Sequence, residues 1–223
     1  MNDRSTLADE PTASADAPSP PPPAPRLDHG AIGNGRILAL ISPTSSVDWL
    51  CLPRFDSPSV FGRLLDSARG GTFRFLTNGR EIEGRMEYIV NTNVLRTVFV
   101  DGEHSWELID FAPRVLQGAG EHAPLELVRV ARPLSGSPRI TVDFDPRPDY
   151  ARVTPLLCEG ATAIEIEGGS QRFRLFSNSP SPSTACTPTP RTFSCRRSGS
   201  STATILASSR PWTRTTSAWC GAG

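Results

Sequence analysis

From about Leu27 to Phe176 the chain is written in short apolar runs rich in Val, Ile, Leu and Phe, many of them alternating with polar residues and separated by glycine or proline. A period of two is the signature of a half-buried strand. It predicts strands near 36–41, 47–52, 71–76, 81–89, 92–100, 105–111, 125–133, 138–145, 161–167 and 171–176. The clearest is Arg139 to Asp145, where Ile140, Val142 and Phe144 fall on one face and Thr141, Asp143 and Asp145 on the other. Ala163-Ile164-Glu165-Ile166-Glu167 repeats that pattern. Between the runs at 94–100 and 105–111 stands Asp101-Gly102-Glu103-His104, a hairpin turn in which glycine supplies a positive φ without steric cost. Ser59 to Leu65 is the one segment before the tail that suits a helix, of about two turns. About ten strands and no strand–helix alternation predict an all-β fold, an antiparallel sandwich of two sheets.

The alternation stops at both ends, which divides the chain into a leader of residues 1–26, a sandwich of residues 27–176 and a tail of residues 177–223. The leader is polar and ends in Pro18-Ser19-Pro20-Pro21-Pro22-Pro23-Ala24-Pro25, a composition that favours an extended, disordered spacer. The tail has 20 Ser and Thr among its 47 residues, no acid, and three of the five cysteines. Low-complexity sequence of this kind is read either as a natural disordered tail or as a GC-rich gene translated out of frame, and the wealth of Arg, Cys and Trp favours the second. On that view the sandwich is incomplete, with disordered termini.

Charge sharpens the division. The whole chain is neutral, yet residues 1–176 carry 18 Arg against 23 Asp and Glu while the tail carries 5 Arg and no acid. The overall neutrality gives no basic field of the kind nucleic acid would require. No apolar run is long enough to span a bilayer and the amino terminus lacks a secretory core, so a cytoplasmic location is expected, with neither nucleic acid nor membrane as partner. Cys51, Cys158, Cys186, Cys195 and Cys220 fit neither a disulfide framework nor a zinc spacing, which leaves Cys51 as a buried thiol.

The densest chemistry lies between Trp49 and Ser57, where an indole, Pro53, Arg54, Phe55 and Asp56 crowd into a few residues. Aromatic faces stack on sugar C–H surfaces and an Arg–Asp pair can fork onto vicinal hydroxyls. Equally, Trp49 and Phe55 suit core anchors, with Arg54 and Asp56 paired to each other or to a neighbouring domain. Gly33-Asn34-Gly35 lacks the helix and the Lys-Ser/Thr of a phosphate loop and reads as a strand-entry turn capped by Asn34. Carboxylates such as Asp48, Asp66, Glu107, Asp110, Asp143, Asp145, Glu159, Glu165 and Glu167 mostly occupy the polar positions of alternating strands, where charges are solvated. His29, His104 and His122 are scattered, without metal-ligand spacing, and no Gly-x-Ser-x-Gly elbow marks a nucleophile.

Gly33-Asn34-Gly35, Asp48-Trp49-Leu50-Cys51-Leu52-Pro53-Arg54-Phe55-Asp56-Ser57-Pro58-Ser59, Asn93-Val94-Leu95-Arg96-Thr97 and Asp110-Phe111-Ala112-Pro113 together resemble the N-terminal β-sandwich, a supersandwich-like fold, of bacterial trehalase-like and glucoamylase-like enzymes of glycoside hydrolase family fifteen. The resemblance covers about Leu27 to Leu175. It implies an inverting hydrolase of α-glucosides such as trehalose, working without metal or organic cofactor. Inversion needs an acid and an opposing base about 6.5–9.5 Å apart. In that family they belong to a later (α/α)6 barrel, so no residue of this chain inherits a catalytic role. What is expected is an accessory domain, inactive alone, whose partners are the barrel and an α-glucoside. Trp49, Pro53, Arg54, Phe55 and Asp56 would then be substrate-proximal or inter-domain. A free-standing carbohydrate-binding or protein-interaction sandwich is the alternative.

Overall fold

The computed structural model describes residues 28–159 and 163–177 and, as backbone, three further strands within 186–207. In chain order the strands are β1 Gly30–Gly33, β2 Leu38–Ile41, β3 Val47–Cys51, β4 Ser59–Phe61, β5 Thr72–Thr77, β6 Arg85–Tyr88, β7 Leu95–Asp101, β8 His104–Phe111, β9 Val115–Gln117, β10 Gly120–His122, β11 Glu126–Ser135, β12 Ile140–Asp145, β13 Leu156–Glu159, β14 Ala163–Gly168, β15 Gln171–Ser177, β16 Cys186–Thr187, β17 Arg191–Ser194 and β18 Ser201–Ala207. A nine-stranded sheet runs β16-β13-β14-β15-β18-β11-β8-β7-β6, a four-stranded sheet β1-β2-β3-β4, a three-stranded sheet β17-β12-β5, and β9 and β10 form a separate ribbon. All of the pairings are antiparallel. The all-β sandwich predicted from the alternation is present, with the second layer shared between two smaller sheets.

One apolar core joins the layers. It takes Phe73 and Phe75 from β5, Phe144 from β12, Phe61 from β4, Phe99 from β7, Trp106 and Leu108 from β8, and Ile166, Phe173 and Leu175 from β14 and β15. Phe99 stacks on Trp106 with ring centroids 4.2 Å apart, and Trp106 reaches across to Phe75 at 6.2 Å. The period-two faces hold: Ile140, Val142 and Phe144 are buried, as are Ile164 and Ile166, while Glu165 and Glu167 are exposed. The Asp101–His104 hairpin forms with Gly102 at φ 62°.

Two local expectations change. Ser59 to Leu65 is not a helix: Ser59-Val60-Phe61 is a fully buried strand, and a turn follows in which Leu65 and Asp66 donate to the carbonyl of Gly62. A three-residue run buried at every position carries no period, so sequence could not separate the two. Glu107 and Asp110, placed at solvated positions by alternation, are buried, because Arg96 and Arg129 meet them there. The leader and most of the tail lie outside the described residues, while within the tail Ser201–Ala207 pairs with both β11 and β15 in the nine-stranded sheet. Its β-branched Thr and Ile suit a strand.

Two buried polar side chains tie distant elements of the sandwich together. Arg129 on β11 forks onto Asp110 on β8 (Nε–Oδ1 2.8 Å, Nη2–Oδ2 3.3 Å) and donates to the carbonyls of Phe73 and Ser45, each at 2.5 Å. It thereby ties the nine-stranded sheet to β5 and to the β2–β3 turn. Asn34 does cap its turn, accepting from the amides of Arg36 and Ile37, and its amide also donates to Pro113 and Pro124 carbonyls at 2.9 and 2.7 Å.

Candidate functional site: the loop after β3 and the turn after β12

Strand β3 delivers Trp49 at its centre, flanked by buried Leu50 and Cys51. Beyond it the chain leaves the sheet through a cis Leu52–Pro53 peptide and returns at β4, so residues 52–58 form a loop anchored at both ends by strands. Ser57 closes the loop locally: its amide donates to the Arg54 carbonyl at 3.1 Å and its hydroxyl accepts from the Arg54 amide at 3.2 Å. Arg54 and Asp56 pair with each other as a two-point fork, Nε–Oδ1 2.8 Å and Nη2–Oδ2 2.9 Å. Phe55, between them, is 62% exposed and therefore not a core anchor. The Arg54 guanidinium holds the Asp56 carboxyl below its ordinary range, and that hydrogen bond in turn raises Arg54.

A second segment comes against this loop. Pro148–Ala151, after β12, forms a tight turn against β4, with the Arg147 amide donating to the Val60 carbonyl at 2.9 Å. Its Tyr150 ring sits 6.4 Å from that of Trp49 at 45°. Gln171, buried at the start of β15, joins loop and turn. Its amide donates to Leu52 and Pro58 carbonyls at 2.9 and 2.8 Å, and its oxygen accepts from the Asp149 amide at 3.2 Å. One side chain thus holds both ends of the loop and the base of the turn.

Below the loop, Cys51 is a buried thiol whose pKa burial, aided by the Asp56 charge, pushes up to about 11. It is inert as a nucleophile at neutral pH. The carboxylates singled out from sequence are mostly committed to arginines. Asp48 takes His29 at 2.9 Å with Arg63 nearby, Asp143 takes Arg74 at 2.8 Å, Asp145 takes Arg147, Glu107 takes Arg96 at 2.7 Å, and Glu165 takes Arg174. Arg74 also pairs with Glu81. Asp66 turns inward on its own loop, accepting from the amides of Ala68 and Arg69. Burial raises the carboxyls of Asp110 and Asp145 in spite of their arginines. His104 accepts from the Ser137 amide at 3.2 Å and His122 lies in exposed β10. Among the described residues no three His, Cys, Asp or Glu side chains gather as a metal site.

A family model described as "Trehalase-like, N-terminal" matches residues 21–182, more than half of the chain and all of the loop, turn and Gln171. The chain belongs to that family. It is 35% identical over 131 residues to the trehalase of Thermoplasma volcanium, a match covering 58% of this chain and 21% of the relative. Against trehalase 1 of Sulfolobus acidocaldarius it is 41% identical over 106 residues, 48% of this chain and 18% of the relative. Against the trehalase of Mycobacterium tuberculosis it is 30% identical over 158 residues, 63% and 22%. The aligned part spans about a fifth of the length of these curated relatives. No solved structure matches.

In this trehalase-like domain Pro53, Arg54, Phe55 and Asp56 lie on one loop, Trp49 lies on the strand before it, and the fold adds Tyr150 against Trp49 and Gln171 between loop and turn. Tyr150 was hidden because it follows Asp145-Pro146-Arg147-Pro148-Asp149, which reads as a loop. Gln171 lies 119 residues from Leu52, and no local pattern links them.

Proposed function

We propose that this trehalase-like domain is the accessory β-sandwich at the N-terminal end of an α-glucoside hydrolase of glycoside hydrolase family fifteen, acting on trehalose or a related α-glucoside, and that the 52–58 loop is its docking face for the (α/α)6 barrel holding the catalytic acid and base. The observation that carries it is Phe55. A large apolar ring is held 62% exposed on a loop fastened at both ends, flanked by a preformed Arg54–Asp56 fork. Rigid aromatic anchors ringed by polar groups are what protein interfaces select. The commitment of the domain's carboxylates to arginines supports an accessory rather than a catalytic role.

The reading needs no metal or organic cofactor, since inversion requires only an acid and a base. It places the domain in the cytoplasm, with neither nucleic acid nor membrane as partner; no helix among the described residues is long and apolar enough to cross a membrane. The test is enzymatic. Purified chain should release no glucose from trehalose or maltose above buffer, and in a protein joining this domain to its barrel Phe55→Ser should weaken domain association while the sandwich stays folded. Glucose release by the purified chain that survives rigorous purification refutes the accessory role.

A further inference from the structure

Asp149, Tyr150 and Ala151 take φ values of 53°, 56° and 62° in succession. Left-handed backbone sets Cβ against the following carbonyl, and non-glycine residues visit it singly. Three in a row persist only where the surroundings over-determine them, and such strain collects at ligand sites. Here the surroundings are on view. Ala151 donates to the Arg147 carbonyl at 3.1 Å, Arg152 to that of Asp149 at 3.0 Å, and the Asp149 amide is held by buried Gln171. Pro148 seats against Gly168, where a Cβ would come 2.5 Å from the proline ring.

What this backbone achieves is the display of one side chain. Tyr150, 44% exposed, stands beside partly exposed Trp49 with the two rings tilted at 45°. The Arg152 guanidinium lies 5.8 Å from the Tyr150 centroid, and its closest approach to the Asp149 carboxylate is 3.8 Å. That distance exceeds a hydrogen bond. Asp149 and Arg152 therefore keep hydrogen-bonding capacity beside the rings, whereas Arg54 and Asp56 satisfy each other.

We propose that Trp49, Tyr150, Asp149 and Arg152 form a carbohydrate-binding ledge for a neutral oligosaccharide. The two rings take the C–H face of a pyranose, Asp149 accepts from its hydroxyls, and Arg152 donates to them. A tilted pair of rings flanked by an incompletely paired acid and base fits a hydroxylated ring better than it fits an apolar peptide, which would leave both charges covered and unsatisfied. The ledge rests on the proposed function only for the choice of sugar.

Calorimetric titration of the full chain with maltoheptaose and, separately, with trehalose tests it. Saturable binding is expected with maltoheptaose; binding of trehalose as well would show that a short α-glucoside suffices. Tyr150→Ala and Tyr150→Gly should weaken binding by about tenfold or more, and Tyr150→Phe should stay within about threefold of the parent, because the ring is the contact. Tyr150→Gly should keep the parent Tm or exceed it, since glycine accepts φ 56° without cost. Absence of saturable binding by the parent chain to either sugar, or unchanged affinity in Tyr150→Gly, overturns the ledge. Phe55→Ser should leave sugar binding intact, so a failure of the docking face and a failure of the ledge are read separately.

Discussion

Two arginine–aspartate forks sit at opposite extremes of this domain. Arg129–Asp110 and Arg54–Asp56 both close an Nε–Oδ1 contact of 2.8 Å. The first is wholly buried, joins two strands 19 residues apart, and has its remaining donors on the Phe73 and Ser45 carbonyls, with the guanidinium over the Phe73 and Phe75 rings. The second spans two residues of one loop and stands mostly in solvent. The carboxyls respond in opposite directions: burial raises Asp110 although Arg129 opposes it, and Arg54 lowers Asp56. Thus the same pair of groups is obligatory in one place and dispensable to the fold in the other, because in the core Arg129 stands in for the water that the Asp110 carboxylate has lost.

The largest effect should come from breaking the buried fork on one side. Arg129→Met strands the Asp110 carboxyl and leaves two carbonyls without a donor, and should cost about 3–5 kcal/mol in urea unfolding. Removing both charges, as Arg129→Met with Asp110→Leu, should recover much of that loss. A single variant as stable as the parent would show that the pair does not join the layers.

Next in size is Gln171→Ala. It removes three hydrogen bonds at a buried position and should cost about 2 kcal/mol. Hydrogen exchange should quicken in residues 52–58 and 149–152 before it does in β8 and β11. Uniform quickening would mean that Gln171 supports the whole sandwich and not this face in particular.

The buried and exposed forks also mark what could be read in advance. Strands such as β12 and β14 were legible because one face is buried and the other wet, and burial then follows a period of two. The loop from Pro53 to Asp56 was legible as a dense motif, and the mutual pairing of Arg54 and Asp56 followed from their closeness in sequence. Asp110 was misplaced because its partner lies on another strand, and alternation assigns a charge to solvent unless a distant arginine is known. Gln171 and the left-handed turn at 149–151 were invisible for the same reason: tertiary contacts impose them against local preference.

A smaller effect separates the thiol beneath the loop from ordinary cysteines. Burial, aided by the Asp56 charge, pushes the Cys51 thiol in the folded chain from an ordinary value of about 9 up to about 11. Between those values the folded state binds the extra proton, so stability should be full below pH 9 and decline as pH rises towards 11, by at most about 2–3 kcal/mol. Cys51→Ala should lower overall stability but flatten that slope. An unchanged slope would assign it to other groups, and thiol labelling of the folded chain at pH 8 that includes Cys51 would show that the loop opens.

The smallest effect on stability belongs to the exposed fork, and it completes the contrast. Arg54→Ala removes the partner that holds Asp56 low, but both groups are solvated and salt screens them, so Tm at physiological ionic strength should stay within about 1 °C of the parent. Asp56 should then titrate closer to an ordinary aspartate, its pKa rising when followed by carbon-detected NMR. If the loop is the docking face, the same variant should weaken association with the barrel while leaving the sandwich intact, because the fork fixes where Phe55 points. A drop in Tm like that of Arg129→Met would place the loop within the fold's own stability and remove the reason for treating it as a surface held ready for a partner.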